Sequence, residues 1–230
     1  MNSSFANSER WAIKCATFDS QVVLQPCQAA AVLTSARAEL TCSSDRSTPI
    51  GKLIDSYLRG QSQLDDHSIH LLFSANRWEA ARSIQEDIAN GVSIIVDRYS
   101  YSGAVYSAAK GNLNLSLQWA WQPEVGLPRP DLCLFLSIST EEAARRGGFG
   151  VERYENDAMQ KRVRELFLAL LELPHNDEIC VIDSGKPVGE VAGDILEPVL
   201  ECMKNVDAIG PLRKLGPWSF IPSGDNPTAS

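Results

Sequence analysis

The chain has 230 residues, 44% of them hydrophobic and 22% charged, which suits one globular domain with a sizeable buried core. Against 29 acidic residues stand 21 basic ones, a net charge of −8. That balance excludes a broad nucleic-acid or anionic-membrane surface, but not a phosphate ligand, which needs only a local cluster of Arg and Lys.

Residues 1–10 are polar and are expected to be disordered. Trp11 to Phe18 alternates weakly and reads as a first strand, whereas Asp19 to Pro26 has no clear identity. Gln28 to Leu40 has good helix propensity and an apolar face, so a helix is expected there. Thr48, Pro49 and Gly60 are the cap, first-position and stop signals of a short helix, with Arg46 at its entrance as a candidate anion ligand. Asp65 to Asn90 reads as a long helix ended by Gly91. Within it Phe73 and Arg77 lie one turn apart on one face, where a ring and a guanidinium can stack on a base and bond its edge. Taken singly, such a Phe is more often core and such an Arg more often an ion-pair partner.

Val92 to Asp97 is a β-branched strand that releases Asp97, Arg98 and several hydroxyls into a small-residue helix. In an open α/β sheet ligands bind at that end of a strand. An Arg there suits a phosphate and an Asp suits magnesium held through water. Asn112 to Pro123 is expected to be helical, followed by a Pro/Gly turn and a continuously apolar strand, Asp131 to Ile138. Thr140 is read as the cap of a helix over 141–146. Arg145 to Glu155 combines three glycines with three arginines, the composition of a cationic lid. A helix from Asn156 to Leu173, a strand from Glu178 to Asp183, a Ser184–Pro187 turn and a terminal helix from Val188 to Asn205 complete the pattern. Strand–helix alternation with short connections predicts a doubly wound parallel α/β sheet flanked by helices.

The six cysteines include no C-x-x-C pair, and three scattered histidines make no zinc site with them. Cys133 and Cys180, inside apolar strands, are expected to be inert buried thiols. The cysteine pattern, with no leader-like h-region and no membrane-length apolar run, reads as a reduced intracellular protein of the cytoplasm or nucleus.

From about Asp45 to Asn205 the chain resembles thymidylate kinase of the eukaryotic cytosolic kind. The resemblance rests on DRSTPIGKLIDSYLRG (45–60), HLLFSANRWE (70–79), VDRYSYSG (96–103), QPEVGLPRPDLCLFL (122–136) and RGGFGVERYE (146–155), in family order and spacing. It implies the P-loop nucleoside monophosphate kinase fold, transfer of the γ-phosphoryl group of ATP to dTMP with Mg2+, and a homodimer. It implies that Arg98 and Arg46 hold the dTMP phosphate and that Asp97 acts near the magnesium. Phe73 would stack on thymine, Arg77 bond its edge, Ser102 and Gln160 surround the base, and Tyr106 crowd the 2′ position of the sugar. Arg146 and Arg153 would belong to the lid over ATP, and Lys186 to the adenine-side loop. Domain boundaries follow: an atypical segment over 1–44, the kinase-like domain over 45–205, and a disordered tail over 206–230.

The chain departs from the family's pattern at its start. The family carries a G-x-x-x-x-G-K-[ST] loop whose backbone N–H groups cradle the donor phosphates. Here no glycine precedes Gly51, no lysine lies between Lys14 and Lys52, and the expected position reads Asp19-Ser20-Gln21-Val22-Val23-Leu24-Gln25-Pro26-Cys27. The first strand and phosphate loop are therefore expected to be degraded. Three explanations fit: an N-terminus altered by a displaced splice junction or reading frame, a protein that binds dTMP without phosphorylating it, or an active kinase whose lid arginines supply the donor cradle.

Overall fold

The computed structural model describes residues 13–18, 38–42, 45–139, 142, 157–171 and 178–217. Five strands, β1 (Ile13–Phe18), β2 (Ala38–Cys42), β3 (Ser93–Asp97), β4 (Leu132–Ser137) and β5 (Ile179–Asp183), form one sheet in the order β2-β3-β1-β4-β5. Every pairing is parallel. From β1 the chain runs to one edge, returns through β3, and crosses β1 to reach β4 and β5. That reversal makes the carboxyl ends of the middle strands the place for a ligand.

The described helices are α1 (Pro49–Leu58), α2 (Asp66–Ala89), α3 (Ser100–Ala108), α4 (Leu117–Trp121), α5 (Asp157–Leu171) and α6 (Val188–Ile209). Strand β4 is apolar at consecutive positions because both its faces are covered. Cys133 and Phe135 join the core made with α2, α3 and α5, and Phe135 stacks on Phe167 at 4.4 Å. Leu132, Leu134 and Leu136 face the opposite core, shared with Ile182 of β5 and with Val191 and Val199 of α6. A smaller cluster of Ile54, Tyr57 and Ile69 joins α1 to α2. Cys133 is buried, whereas Cys180 is only half-buried.

The structure corrects four expectations. The first strand is not lost: β1 occupies the centre of the sheet, paired with β3 over Ile13–Ala16 and with β4 over Lys14–Phe18. The helix expected over 28–40 does not hold at its end, where Ala38–Cys42 is an edge strand registered along all of β3. A ladder of that length outweighs the helix propensity of Ala-Glu-Leu, which is high for each residue but amounts to only a few tenths of a kcal/mol apiece. The helix expected from Asn112 begins only at Leu117. Asn112 instead accepts from Asn114 N at 3.1 Å, and Ser116 caps the helix by accepting from Trp119 N at 3.1 Å.

The fourth correction concerns the tail expected to be disordered from residue 206. Helix α6 runs to Ile209, and the following segment docks on the turn before β4. Gly126 N donates to Leu215 O, Leu215 N to Leu127 O and Arg129 N to Arg213 O, at 2.8–2.9 Å. Leu215 is buried in the main core, a gain in apolar burial that its Pro/Gly-rich neighbours conceal in the sequence. Residues 218–230, the segment 19–27 and the lid with Arg146 and Arg153 lie outside the described residues.

Candidate active site

Strand β3 ends at Asp97, and Arg98 adopts φ +57, the one left-handed backbone among the described non-glycine residues. Such a conformation costs an L residue about 1–2 kcal/mol, and it is retained here where the chain turns from strand to helix. The turn lays the Arg98 guanidinium over the Tyr106 ring, 5.1 Å from its centroid. Asp97 is half-buried, and its Oδ1 has no hydrogen-bond partner among the described residues. Burial raises its carboxyl above the ordinary range, with Arg98 pulling the other way.

Helix α3 supplies one wall of the site. Ser102 and Tyr106, four residues apart and both buried, share a face with Gly103 between them. A Cβ placed on Gly103 would lie 2.6 Å from Nη2 and 2.9 Å from Nη1 of Arg77, so the guanidinium rests on bare backbone. Arg77 is only 2% exposed. Its Nε donates to Glu124 Oε2 at 2.7 Å and its Nη2 donates to Glu124 Oε1. Phe73, one turn before Arg77 on α2, packs partly against the Ile54–Tyr57–Ile69 cluster.

The start of α1 is tied to α2 beside Arg77. Thr48 caps the helix by accepting from Gly51 N at 3.0 Å. Asn76 Nδ2, the residue before Arg77, donates to Asp45 O at 3.3 Å and to Thr48 Oγ1 at 3.1 Å, which ties the Asp45–Arg46 segment to α2. Arg46 itself is half-exposed and donates to Asp55 Oδ1 at 2.8 Å.

The structure thus gathers Arg77, Arg98, Ser102 and Tyr106 around α3, with Phe73 a turn along α2 and Arg46 held near Asn76. Gln160 is buried on α5, a helix that packs against α3. Lys186 stands apart, in the turn between β5 and α6, where it pairs with Asp194 at 2.7 Å. Glu124 carried no assigned role in the sequence reading. Its signal was there: it is the only Asp or Glu between Asp97 and Asp131, set in a Pro/Gly turn. A carboxylate in so apolar a stretch has to find a cation when it is buried.

A family model described as thymidylate kinase matches residues 29–195. The chain belongs to the thymidylate kinase family. It is 53% identical over 136 residues to thymidylate kinase of Homo sapiens, a match covering 59% of this chain and 63% of that protein. It is 45% identical over 151 residues to thymidylate kinase of Dictyostelium discoideum, covering 66% of this chain and 65% of the relative. These matches span just under two thirds of the relatives' own lengths. The solved structure of thymidylate kinase from Candida albicans superposes with a TM-score of 0.75 at 37% identity, covering 85% of this chain and 93% of that one. The likeness places the parallel α/β sheet of this chain in the P-loop nucleoside monophosphate kinase fold. Among the described residues no helix is long and apolar enough to cross a membrane.

Proposed function

We propose that this chain binds dTMP between α2 and α3 and transfers the γ-phosphoryl group of ATP to it, giving dTDP and ADP. The observation that carries this reading is the convergence on α3 of two arginines of different function. Arg98, held in a strained turn over Tyr106, offers its fork to the 5′-phosphate. Arg77, flat against Gly103, offers an N–H edge to a base.

Phe73 supplies the face on which the thymine ring stacks, and Ser102 and Gln160 line the base. Tyr106 excludes a 2′-hydroxyl by bulk. Arg46 adds a second cation at the phosphate once it exchanges Asp55 for the ligand. The acceptor needs no general base, because a phosphate monoester with its second pKa near about 6 is largely dianionic at neutral pH. What the protein must do is hold two polyanions in line and neutralise their charge. The lid arginines Arg146 and Arg153 are proposed for the donor side, and Lys186 for the adenine-side loop.

Asp97 fits a magnesium site, since its buried Oδ1 lacks a partner among the described residues and a cation would offset the cost of burying its charge. When bound with ATP, Mg2+ would neutralise charge on the transferring phosphates. A homodimer and a cytoplasmic or nuclear location are proposed on the family resemblance.

A second reading has its own observation: no glycine precedes Gly51, so the G-x-x-x-x-G-K-[ST] pattern of the family is not found ahead of α1. On that reading the chain binds dTMP without phosphorylating it. ADP release by the full chain with Mg-ATP, with and without dTMP, separates the two. Release that depends on dTMP and disappears in Arg98→Ala supports phosphoryl transfer. No release, with dTMP still raising the melting temperature, leaves the binding reading standing and overturns transfer.

A further inference from the structure

We infer that Glu124 is the positioning residue that orients Arg77 for reading the base, working with the bare backbone of Gly103. The inference rests on the proposed role of Arg77 in the dTMP site. Glu124 is fully buried and engages the Nε and Nη2 edge of the guanidinium. Gly103 backs the same group from the other side, with Nη2, Cζ and Nη1 all within 2.9 Å of where a Cβ would stand. A planar group held along one edge and across one face has no rotational freedom left. Nη1 has no hydrogen-bond partner among the described residues, so the edge that remains for a ligand is a pure donor. Such an edge donates to the 4-keto oxygen of a pyrimidine and opposes a 4-amino group, which is itself a donor.

The turn that carries Glu124 is gripped on both sides. From α2, Ser74 Oγ and Trp78 Nε1 donate to Pro123 O at 3.1 and 2.8 Å. Ser74 and Trp78 flank Arg77 along the helix, so one stretch of α2 holds both the guanidinium and the backbone next to its carboxylate partner. From the C-terminal segment, Leu215 O accepts from Gly126 N at 2.9 Å and Gly216 O accepts from Trp121 Nε1 at 2.9 Å. Glu124 O in turn accepts from Leu127 N at 3.1 Å. The 121–127 stretch, which runs from the end of α4 through a single 3-10 turn over Gln122–Glu124, is thereby fixed to helix and tail before any ligand arrives. Preorganisation of this kind spares the ligand the cost of ordering its reader.

The test is calorimetric titration of dTMP and dCMP into the full chain and into Arg77→Met, Glu124→Gln and Gly103→Ala, without ATP. Glu124→Gln keeps the shape but replaces one acceptor oxygen with an amide donor that faces a donor. It is expected to weaken dTMP binding about ten- to a hundredfold and to erase the preference for dTMP over dCMP. A merely structural loss would weaken both nucleotides alike and leave their ratio unchanged. Gly103→Ala, which displaces the guanidinium without touching Glu124, is expected to lower the same ratio and serves should Glu124→Gln fail to fold. If Arg77→Met loses the preference while Glu124→Gln and Gly103→Ala keep it, the positioning role is wrong and the Arg77 reading survives. If Arg77→Met also keeps the preference, the Arg77 reading fails and the positioning role with it.

Discussion

Replacing Gly51 with Ala sets two effects of opposite sign against each other. Gly51 is the third residue of α1, and in a helix interior Ala is favoured over Gly by about 1 kcal/mol. On propensity alone the variant should be more stable. The structure predicts the reverse. A Cβ there would fall inside contact distance of Asp45 O and stand 2.7 Å from both Asp45 C and Arg46 Cα. All three are backbone atoms, so no side chain can rotate out of the way. Carbon atoms pack at about 3.5–4.0 Å, so the 45–46 segment must withdraw by roughly 1 Å or more. That movement breaks the 3.3 Å bonds to Asp45 O from Asn76 and Thr48 and strains the Thr48 cap. Overpacking costs about 1–3 kcal/mol and a lost cap about 1 kcal/mol more, which outweighs the propensity gain. The expected net loss is about 1–3 kcal/mol in urea unfolding, with weaker dTMP binding because Arg46 moves with its backbone. Equal or greater stability with unchanged dTMP affinity would refute the reasoning.

His70 is fully buried, with Nδ1 2.7 Å from Ser107 Oγ, and burial followed by the Arg77 charge lowers its pKa from 6.5 to about 4. A depressed histidine pKa means that the unfolded chain takes up a proton the folded one refuses. The contribution is therefore intact above the unfolded value of 6.5 and is lost as pH falls toward 4, about 3 kcal/mol in all. Unfolding free energies between about pH 7 and about pH 4.5 should fall less steeply in His70→Gln than in the parent, and parallel slopes would count against a buried neutral imidazole. At Arg98, Ala and Gly both remove the guanidinium, but only Ala keeps the cost of φ +57. Arg98→Gly should be more stable than Arg98→Ala by about 1 kcal/mol in denaturant unfolding, and equal stabilities would mean that the turn relaxes without strain. Leu215→Ala should cost about 2–5 kcal/mol, because this side chain, 3% exposed, lies in the main core. A thermal midpoint unchanged by that substitution would mean the tail does not dock.

Strands β3 and β4 were legible because β-branched or continuously apolar runs have no other use for their length. The helix ends at Thr48 and Gly91 were legible through their cap and stop signals. Strand β2 was not, since Ala-Glu-Leu prefers helix locally and only the β3 ladder makes it a strand. The docked tail was hidden for a related reason: what holds residues 213–216 is backbone bonding to the turn at 126–129, far back in the sequence, which no local pattern encodes. In the site, Arg77 and Arg98 stood out by residue type at helical and strand-end positions, and Tyr106 through the family resemblance. Glu124 and Gly51 did not, because each matters through a contact that no local pattern encodes: a guanidinium far away in sequence for one, and for the other a backbone carbonyl brought back against the helix by the turn before it.

The central claim, that α2 and α3 form a site for thymidine bearing a 5′-phosphate, is tested most directly by calorimetric titration of dTMP against thymidine, without ATP. The account predicts that the full chain binds dTMP at least about tenfold tighter than thymidine, and that Arg98→Ala erases the difference while still binding the nucleoside. Equal affinity for the two ligands in the parent chain, or a phosphate preference that survives loss of Arg98, would contradict it.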